Sequence, residues 1–198
     1  MSKDKIYIFD TTLRDGAQTQ GVDFNVQDKY KIANILDEIG VDYIEGGWPG
    51  ANPVDNDFFS KPQNFKKSVF TAFGMTKKTG RSAENDPGLS SLINANCPAV
   101  CVVGKTWDFH VNVALEINND QNLENIRETA KHIVKNNKEF LFDAEHFFDG
   151  YKANPIYALD CLKQAYDSGA RWLVLCDTNG GTLPNEIGDI VDKVSNSI

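Results

Sequence analysis

The sequence predicts an α/β fold built on parallel strands, and three observations lead there. Six short apolar runs alternate with helical patterns. Their starts run from near residue 6 to near residue 172, about 33 residues per unit, which is the spacing of βα repeats. Each run hands over at its C-terminal end to polar or glycine residues, the edge where sites in parallel sheets are built.

The first strand, Ile6-Tyr7-Ile8-Phe9, leads into Asp10-Thr11-Thr12-Leu13-Arg14-Asp15-Gly16. Arg14 supplies a cationic fork suited to a carboxylate or a developing oxyanion. Asp15 supplies a hard oxygen that a divalent cation accepts, and Gly16 lets the chain turn sharply. An Arg-Asp surface ion pair in a turn is the plain alternative. Asn25 caps a helix, Asp28 favours its N-terminus, and Ile32, Ile35, Leu36 and Ile39 fall on one face before Gly40 ends it.

Residues 41–47 read as the second strand, with a rigid loop exit through Trp48-Pro49-Gly50 and Asn52-Pro53. Residues 68–74 form the third, and its exit loop carries Lys77 and Lys78. Helical residues from about Glu84 to Asn94 precede the fourth strand, 99–104, which opens into the polar-aromatic loop Lys105 to His110. A long helix then places Leu123, Ile126, Ala130, Ile133 and Val134 on one stripe. Residues 139–145 are the fifth strand, ending in alternating carboxylates. Pro155 opens a helix with Leu159, Leu162 and Tyr166 inward and Gly169 as its stop. The sixth strand, 172–176, ends at Asp177-Thr178-Asn179-Gly180-Gly181, and Pro184 starts a helix burying Ile187, Ile190, Val191 and Val194.

One domain with a sizeable core suits 198 residues. With 20 Lys+Arg against 28 Asp+Glu, the formal net charge of -8 argues against nucleic acid or anionic membrane as partners. No apolar run approaches the roughly 20 residues of a membrane helix. Met1 to Lys5 lead directly into a strand with no room for a signal peptide, so a cytoplasmic protein is expected. Cys97, Cys101, Cys161 and Cys176 form no C-x-x-C pair and read as small buried hydrophobes.

Asp10 through Gly16, followed by Gln18, resembles the first-strand signature of the metal-dependent (β/α)8 acyltransferases and lyases. That group includes 2-isopropylmalate, homocitrate and citramalate synthases and hydroxymethylglutaryl-CoA lyase. Further blocks at strand exits resemble its citramalate synthase branch: 43–50, with Gly-Gly-Trp-Pro-Gly at 46–50, then 72–76, 104–111, 143–150 and 177–181.

The resemblance implies a TIM barrel truncated to about its first six βα units, because a closed barrel needs about 250 residues. A complete open six-stranded sheet is the alternative that composition leaves standing. On the barrel reading, 1–198 is an incomplete catalytic domain lacking strands seven and eight and any C-terminal regulatory domain. Its two open sheet edges would leave the chain unstable or self-associating.

The implied reaction condenses acetyl-CoA with a 2-oxo acid, pyruvate to citramalate, for isoleucine/leucine-type biosynthesis. 2-Isopropylmalate or homocitrate synthesis is the near alternative, and a non-catalytic anion-binding α/β protein the distant one. Asp15 would be the carboxylate ligand of Mg2+ or Mn2+, with Zn2+ a third candidate. The His-x-His ligands are expected beyond residue 198, so the chain alone should be inactive. Arg14 would steady the keto or enolate oxygen. Glu145 would act as base or orient the base, where a solvated strand-end carboxylate is the plain reading. Thr178 would bond the oxo-acid carboxylate or simply cap its turn, and Gln18 would touch the reacting groups or serve the turn. Glu45 reads as an internal ion-pair partner more than a residue behind the metal. Strand alternation sends His146 to the face opposite Glu145, packed or bonded to a neighbour. His110 and His132 read as loop and helix-surface residues. Small-molecule substrates and a homodimer of the full-length protein complete the expectation.

Overall fold

The structure, a computed structural model, describes residues 5–198, so the reading placed on Met1 to Asp4 lies outside the described residues. In chain order the elements are β1 (Phe9–Asp10), α1 (Val26–Ile39), β2 (Tyr43–Gly47), α2 (Pro53–Phe59), β3 (Val69–Met75), α3 (Pro87–Asn94), β4 (Ala99–Lys105), α4 (Asp108–Val113), α5 (Asn119–Lys135), β5 (Glu139–Glu145), α6 (Phe147–Ala153), α7 (Pro155–Asp167), β6 (Trp172–Leu175) and α8 (Pro184–Ser195). Sheet order follows chain order, with parallel registers such as Phe9↔Tyr43, Ile44↔Phe70 and Leu141↔Trp172. Two compact units divide the chain. One comprises residues up to Gly74 with Ser91–Cys101, and the other Met75–Ser90 with Val102–Ile198.

In the first unit, α1 begins as its sequence dictates: Asn25 accepts from the Asp28 N–H and Asp28 returns the bond to the Asn25 N–H. Its buried face differs from the apolar stripe. Lys29, Ala33, Leu36 and Asp37 are inside, while Ile35 and Ile39 are 57% and 70% exposed. Polar anchoring selects this face. The Asp37 carboxylate accepts the backbone N–H groups of Lys66, Lys67 and Ser68 at 2.8–2.9 Å and so fixes the approach to β3. β1 is shorter than its apolar run, because the Ile8 N–H bonds the Asp42 carboxylate at 2.9 Å and Ile6 stays exposed. α2 replaces an expected loop. Asn52 accepts from the Asp55 N–H and Pro53 occupies the first turn, start signals for a helix too short to show periodicity. Phe58 and Phe59 of α2 close over Phe70 of β3, the second pair stacked at 4.5 Å.

In the second unit, α5 buries Asn122, Asn125, Ile126, Thr129, Ala130 and Ile133, so its face is rotated away from Val134. Asn122 explains the rotation: its Nδ2 donates to the Lys105 carbonyl and to Tyr157 Oη, each at 2.8 Å. On α7, Tyr157, Ala158, Cys161, Leu162 and Ala165 are buried and Tyr166 is exposed. On α8, Ile190 and Val194 are buried and Val191 is exposed. Cys97, Cys101 and Cys161 are buried and Cys176 half-buried, all as thiols. Burial pushes the Cys161 thiol up to about 12. No helix among the described residues is long and apolar enough to cross a membrane.

Burial alone would raise the Asp37 carboxyl, but its backbone donors outweigh that and hold it below its usual value. Replacing Asp37 by Ala is expected to cost about 2–4 kcal/mol. Its stabilisation is complete above the unfolded carboxyl's range and is lost as pH falls through the depressed folded value. Urea unfolding of wild type and Asp37→Asn at falling pH should therefore show two stabilities that converge in acid.

Candidate functional site

The first cluster is built at the ends of β1 and β2. Beyond β1, Thr11 O accepts the N–H groups of Arg14 and Gly16 at 3.1 Å, which closes the turn. A Cβ on Gly16 would meet nothing nearer than 3.8 Å, so backbone bonds rather than the missing side chain make this turn. Arg14 Nε donates to Glu45 Oε2 at 2.6 Å, Nη1 reaches Asp15 Oδ1 at 3.0 Å, and the guanidinium carbon lies 4.0 Å from the Phe73 ring centre. Trp48 meets Phe73 edge-on at 5.5 Å. The guanidinium is thereby clamped in the plane set by Glu45 and on the face set by Phe73. Glu45 is fully buried and is the internal ion-pair partner its position suggested.

Lys29 holds this geometry from below. Its buried ammonium donates to the Leu13 carbonyl at 2.9 Å, to the Gly46 carbonyl at 2.8 Å, and to Asp55. Those carbonyls flank Arg14 and Glu45. Asp55 in turn accepts the Trp48 N–H at 2.9 Å. The ladder shifts register between Glu45 and Gly47, where φ is +147° and a Cβ would lie 2.5 Å from the Asp55 carboxylate. Only glycine suits that bulge.

Asp15 is exposed. It offers one carboxylate, and among the described residues no group of three or more His, Cys, Asp or Glu is placed to hold a metal ion. The described residues therefore do not compose a metal site. Gln18, also exposed, lines a cavity of about 360 Å3 with Arg14, Phe24, Trp48 and Asn52.

The second cluster is built at the ends of β4, β5 and β6. Glu145 Oε2 pairs with Lys105 Nζ. The Glu145 carbonyl accepts from Thr106 Oγ1 at 2.7 Å and from the Thr106 N–H at 3.3 Å. A Cβ on Gly150 of α6 would lie 2.5 Å from the Thr106 carbonyl oxygen, so this close packing needs glycine. Thr178 Oγ1 accepts the His146 N–H at 2.9 Å. His146 is bonded to a neighbour as expected, Nδ1 lying 3.3 Å from Asp149 Oδ2, but strand alternation does not place it: its φ of 53° breaks the extended run. His110 is no plain loop residue. Its ring meets the His146 ring at 4.4 Å and packs on Trp107. His132 is likewise mostly covered, at 13% exposure.

Lys29 and Asp55 escaped the sequence reading, and Phe73, Lys105 and Thr106 lay inside blocks it singled out without being given a role. A signal existed for Lys29, which shares helical spacing with Ala33 and Leu36. The others acquire meaning only when strands far apart in sequence come together.

A family model described as HMGL-like matches residues 5–198. The chain belongs to the HMGL-like family. Among curated relatives, an (R)-citramalate synthase of Aquifex aeolicus is 53% identical over 96% of this chain and 37% of that protein, and one of Geobacter sulfurreducens 49% over 98% and 37%. A 2-isopropylmalate synthase of Caldanaerobacter subterraneus is 32% identical over the whole chain and 48% of its own length. The HMGL-like chain thus spans little more than a third of the length of its first-named relatives. Among solved structures, the HMG-CoA lyase of Bacillus subtilis matches with a TM-score of 0.78 at 17% identity, over 98% of this chain and 65% of that one. That likeness concerns the fold, the (β/α)-barrel class expected from the sequence, of which six βα units are present among the described residues.

Lys29→Met should destabilise by about 3–5 kcal/mol, because it strands the Asp55 charge, and adding Asp55→Leu should recover much of the loss. Chemical denaturation of the two variants checks this. Burial first, then the neighbouring His146 ring and the Lys105 ammonium, hold His110 below its ordinary value. The unfolded chain therefore takes up this proton first. The associated stability, full above the unfolded value, declines as pH falls toward the depressed folded value. His110→Gln should flatten that part of the stability profile.

Proposed function

We propose that the protein to which this chain belongs is an acyltransferase condensing acetyl-CoA with a 2-oxo acid, pyruvate giving citramalate, in isoleucine/leucine-type biosynthesis. One observation carries the choice. Relatives named (R)-citramalate synthase are 43–53% identical across nearly all of this chain, whereas those named 2-isopropylmalate synthase are 30–32% identical.

The proposed chemistry removes a proton from the acetyl methyl group, and the resulting enolate carbon attacks the keto carbon of the oxo acid. The keto oxygen becomes a hydroxyl on protonation, and water then cleaves the thioester to free the CoA thiol. Negative charge develops on oxygen at both stages, and a fixed guanidinium matched to it costs no reorganisation during the reaction. Arg14, clamped by Glu45 and Phe73, fits that role. Lys105 holds Glu145 Oε2 and so fixes the carboxylate's rotation, which suits Glu145 to receive the methyl proton through Oε1 or to orient the base that does. Thr178 donates to the oxo-acid carboxylate, and Gln18 borders the reacting groups.

The cofactor in this reading is a divalent cation, Mg2+ or Mn2+ or else Zn2+, with Asp15 as one ligand and histidines beyond residue 198 as others. Acetyl-CoA is the co-substrate, and the longer protein is proposed to act in the cytoplasm as a homodimer.

Thiol release from acetyl-CoA by the longer protein is expected with pyruvate. Arg14→Ala and Asp15→Ala should each lower it by about 100-fold or more, with Arg14→Lys giving no rescue because the clamp needs a planar fork. The 198-residue chain by itself is expected to show no turnover. Release only with longer oxo acids would transfer the reading to the 2-isopropylmalate or homocitrate type. No release with any oxo acid would refute it in favour of an anion-binding protein.

A further inference from the structure

His146 is a non-glycine residue in the left-handed region, at φ 53° and ψ 35°, between the last residue of β5 and the first of α6. Such a conformation costs free energy in an L-residue and persists only where its surroundings impose it. Here they do. The Glu145 carbonyl on one side is held by Thr106, the Phe147 N–H on the other donates to the Cys176 carbonyl at 3.1 Å, and the Gly150 N–H bonds the His146 carbonyl at 2.9 Å. The imidazole, 12% exposed, is held by Asp149, whose Oδ2 also accepts from Asn179 Nδ2 at 2.9 Å. Asn179 adjoins Thr178, so side chain and main chain of one residue both tie the β6 exit to the β5 exit.

The consequence falls on Thr178. A hydroxyl has one hydrogen to give and lone pairs to receive. The His146 N–H takes a lone pair of Thr178 Oγ1, and Thr178 is exposed at the strand end. With its oxygen engaged from within, the hydroxyl is oriented to donate outward.

We propose that His146 is a positioning residue for the oxo-acid carboxylate: its left-handed backbone turns its N–H onto Thr178 Oγ1 and so aims the Thr178 hydroxyl hydrogen at an anionic oxygen of the substrate. This rests on the acyltransfer reading. His146 itself does not touch the substrate.

The test uses the longer protein with the thiol-release assay, separating KM for the oxo acid from KM for acetyl-CoA. Thr178→Val should raise KM for the oxo acid by about tenfold, the size of one lost hydrogen bond to a charged group. His146→Val, whose branched side chain opposes the left-handed region, should give a similar rise. His146→Gly, which accepts that backbone freely, should stay within about threefold. KM for acetyl-CoA should move less than twofold throughout. Combined with Thr178→Val, His146→Val should add nothing further, because both remove one interaction.

Equal rises in both KM values, or multiplying effects in the double variant, would overturn the inference while leaving the acyltransfer reading intact. If His146→Val does not fold, His146→Asn against His146→Ala replaces it, since Asn tolerates the left-handed region better; equal KM values for these two would also overturn the inference. Absence of release by wild type with every oxo acid would remove the acyltransfer reading first, and this inference with it.

Discussion

A buried ammonium group organises the first unit. Lys29 sits on the inner face of α1 with its charge out of water, a placement whose desolvation must be offset by several good partners. It has three: the Leu13 carbonyl, the Gly46 carbonyl and the Asp55 carboxylate. Two of these are main-chain groups beside the residues of interest, so satisfying Lys29 also fixes where Arg14 and Glu45 stand. The glycine at the β2 bulge, Gly47, follows from the same demand, because the Asp55 carboxylate occupies the space a side chain there would need.

The second unit solves the corresponding problem with neutral groups. A parallel strand that ends leaves carbonyls and N–H groups beyond its last ladder bond, and these must find partners. At the end of β5 they find threonine hydroxyls, Thr106 for the Glu145 carbonyl and Thr178 for the His146 N–H. The chain turns through a left-handed residue straight into α6. The carboxylate of Glu145 consequently projects from a backbone held on both sides, with Lys105 fixing its rotation. Rigid presentation of a few charged groups at strand ends, with little of their freedom left to lose, is the arrangement electrostatic catalysis favours.

Much of this was legible in the chain. The βα repeat, the strand ends, the cap at Asn25, the helix starts at Pro155 and Pro184, and the charged exit after β1 follow from local chemistry that each segment carries with it. Hydrophobic periodicity was a weaker guide to faces. On α1 and α5 the buried sides contain Lys29, Asp37, Asn122 and Asn125, while Ile35, Ile39 and Val134 are exposed. A polar side chain with several fixed partners outweighs an apolar one with room outside, and those partners lie tens of residues away.

By itself, then, the sequence determined the class of fold, the order of its elements and the identity of the groups at each strand exit, because propensity, capping and alternation act within a few residues. Tertiary structure decided which helix faces turn inward, that Arg14 is clamped by Glu45 and Phe73, and that His146 leaves the strand alternation to meet Thr178. The physical reason is range. A buried charge or an unsatisfied backbone group is settled by whatever partner the fold brings to it, and that partner is not its neighbour in sequence.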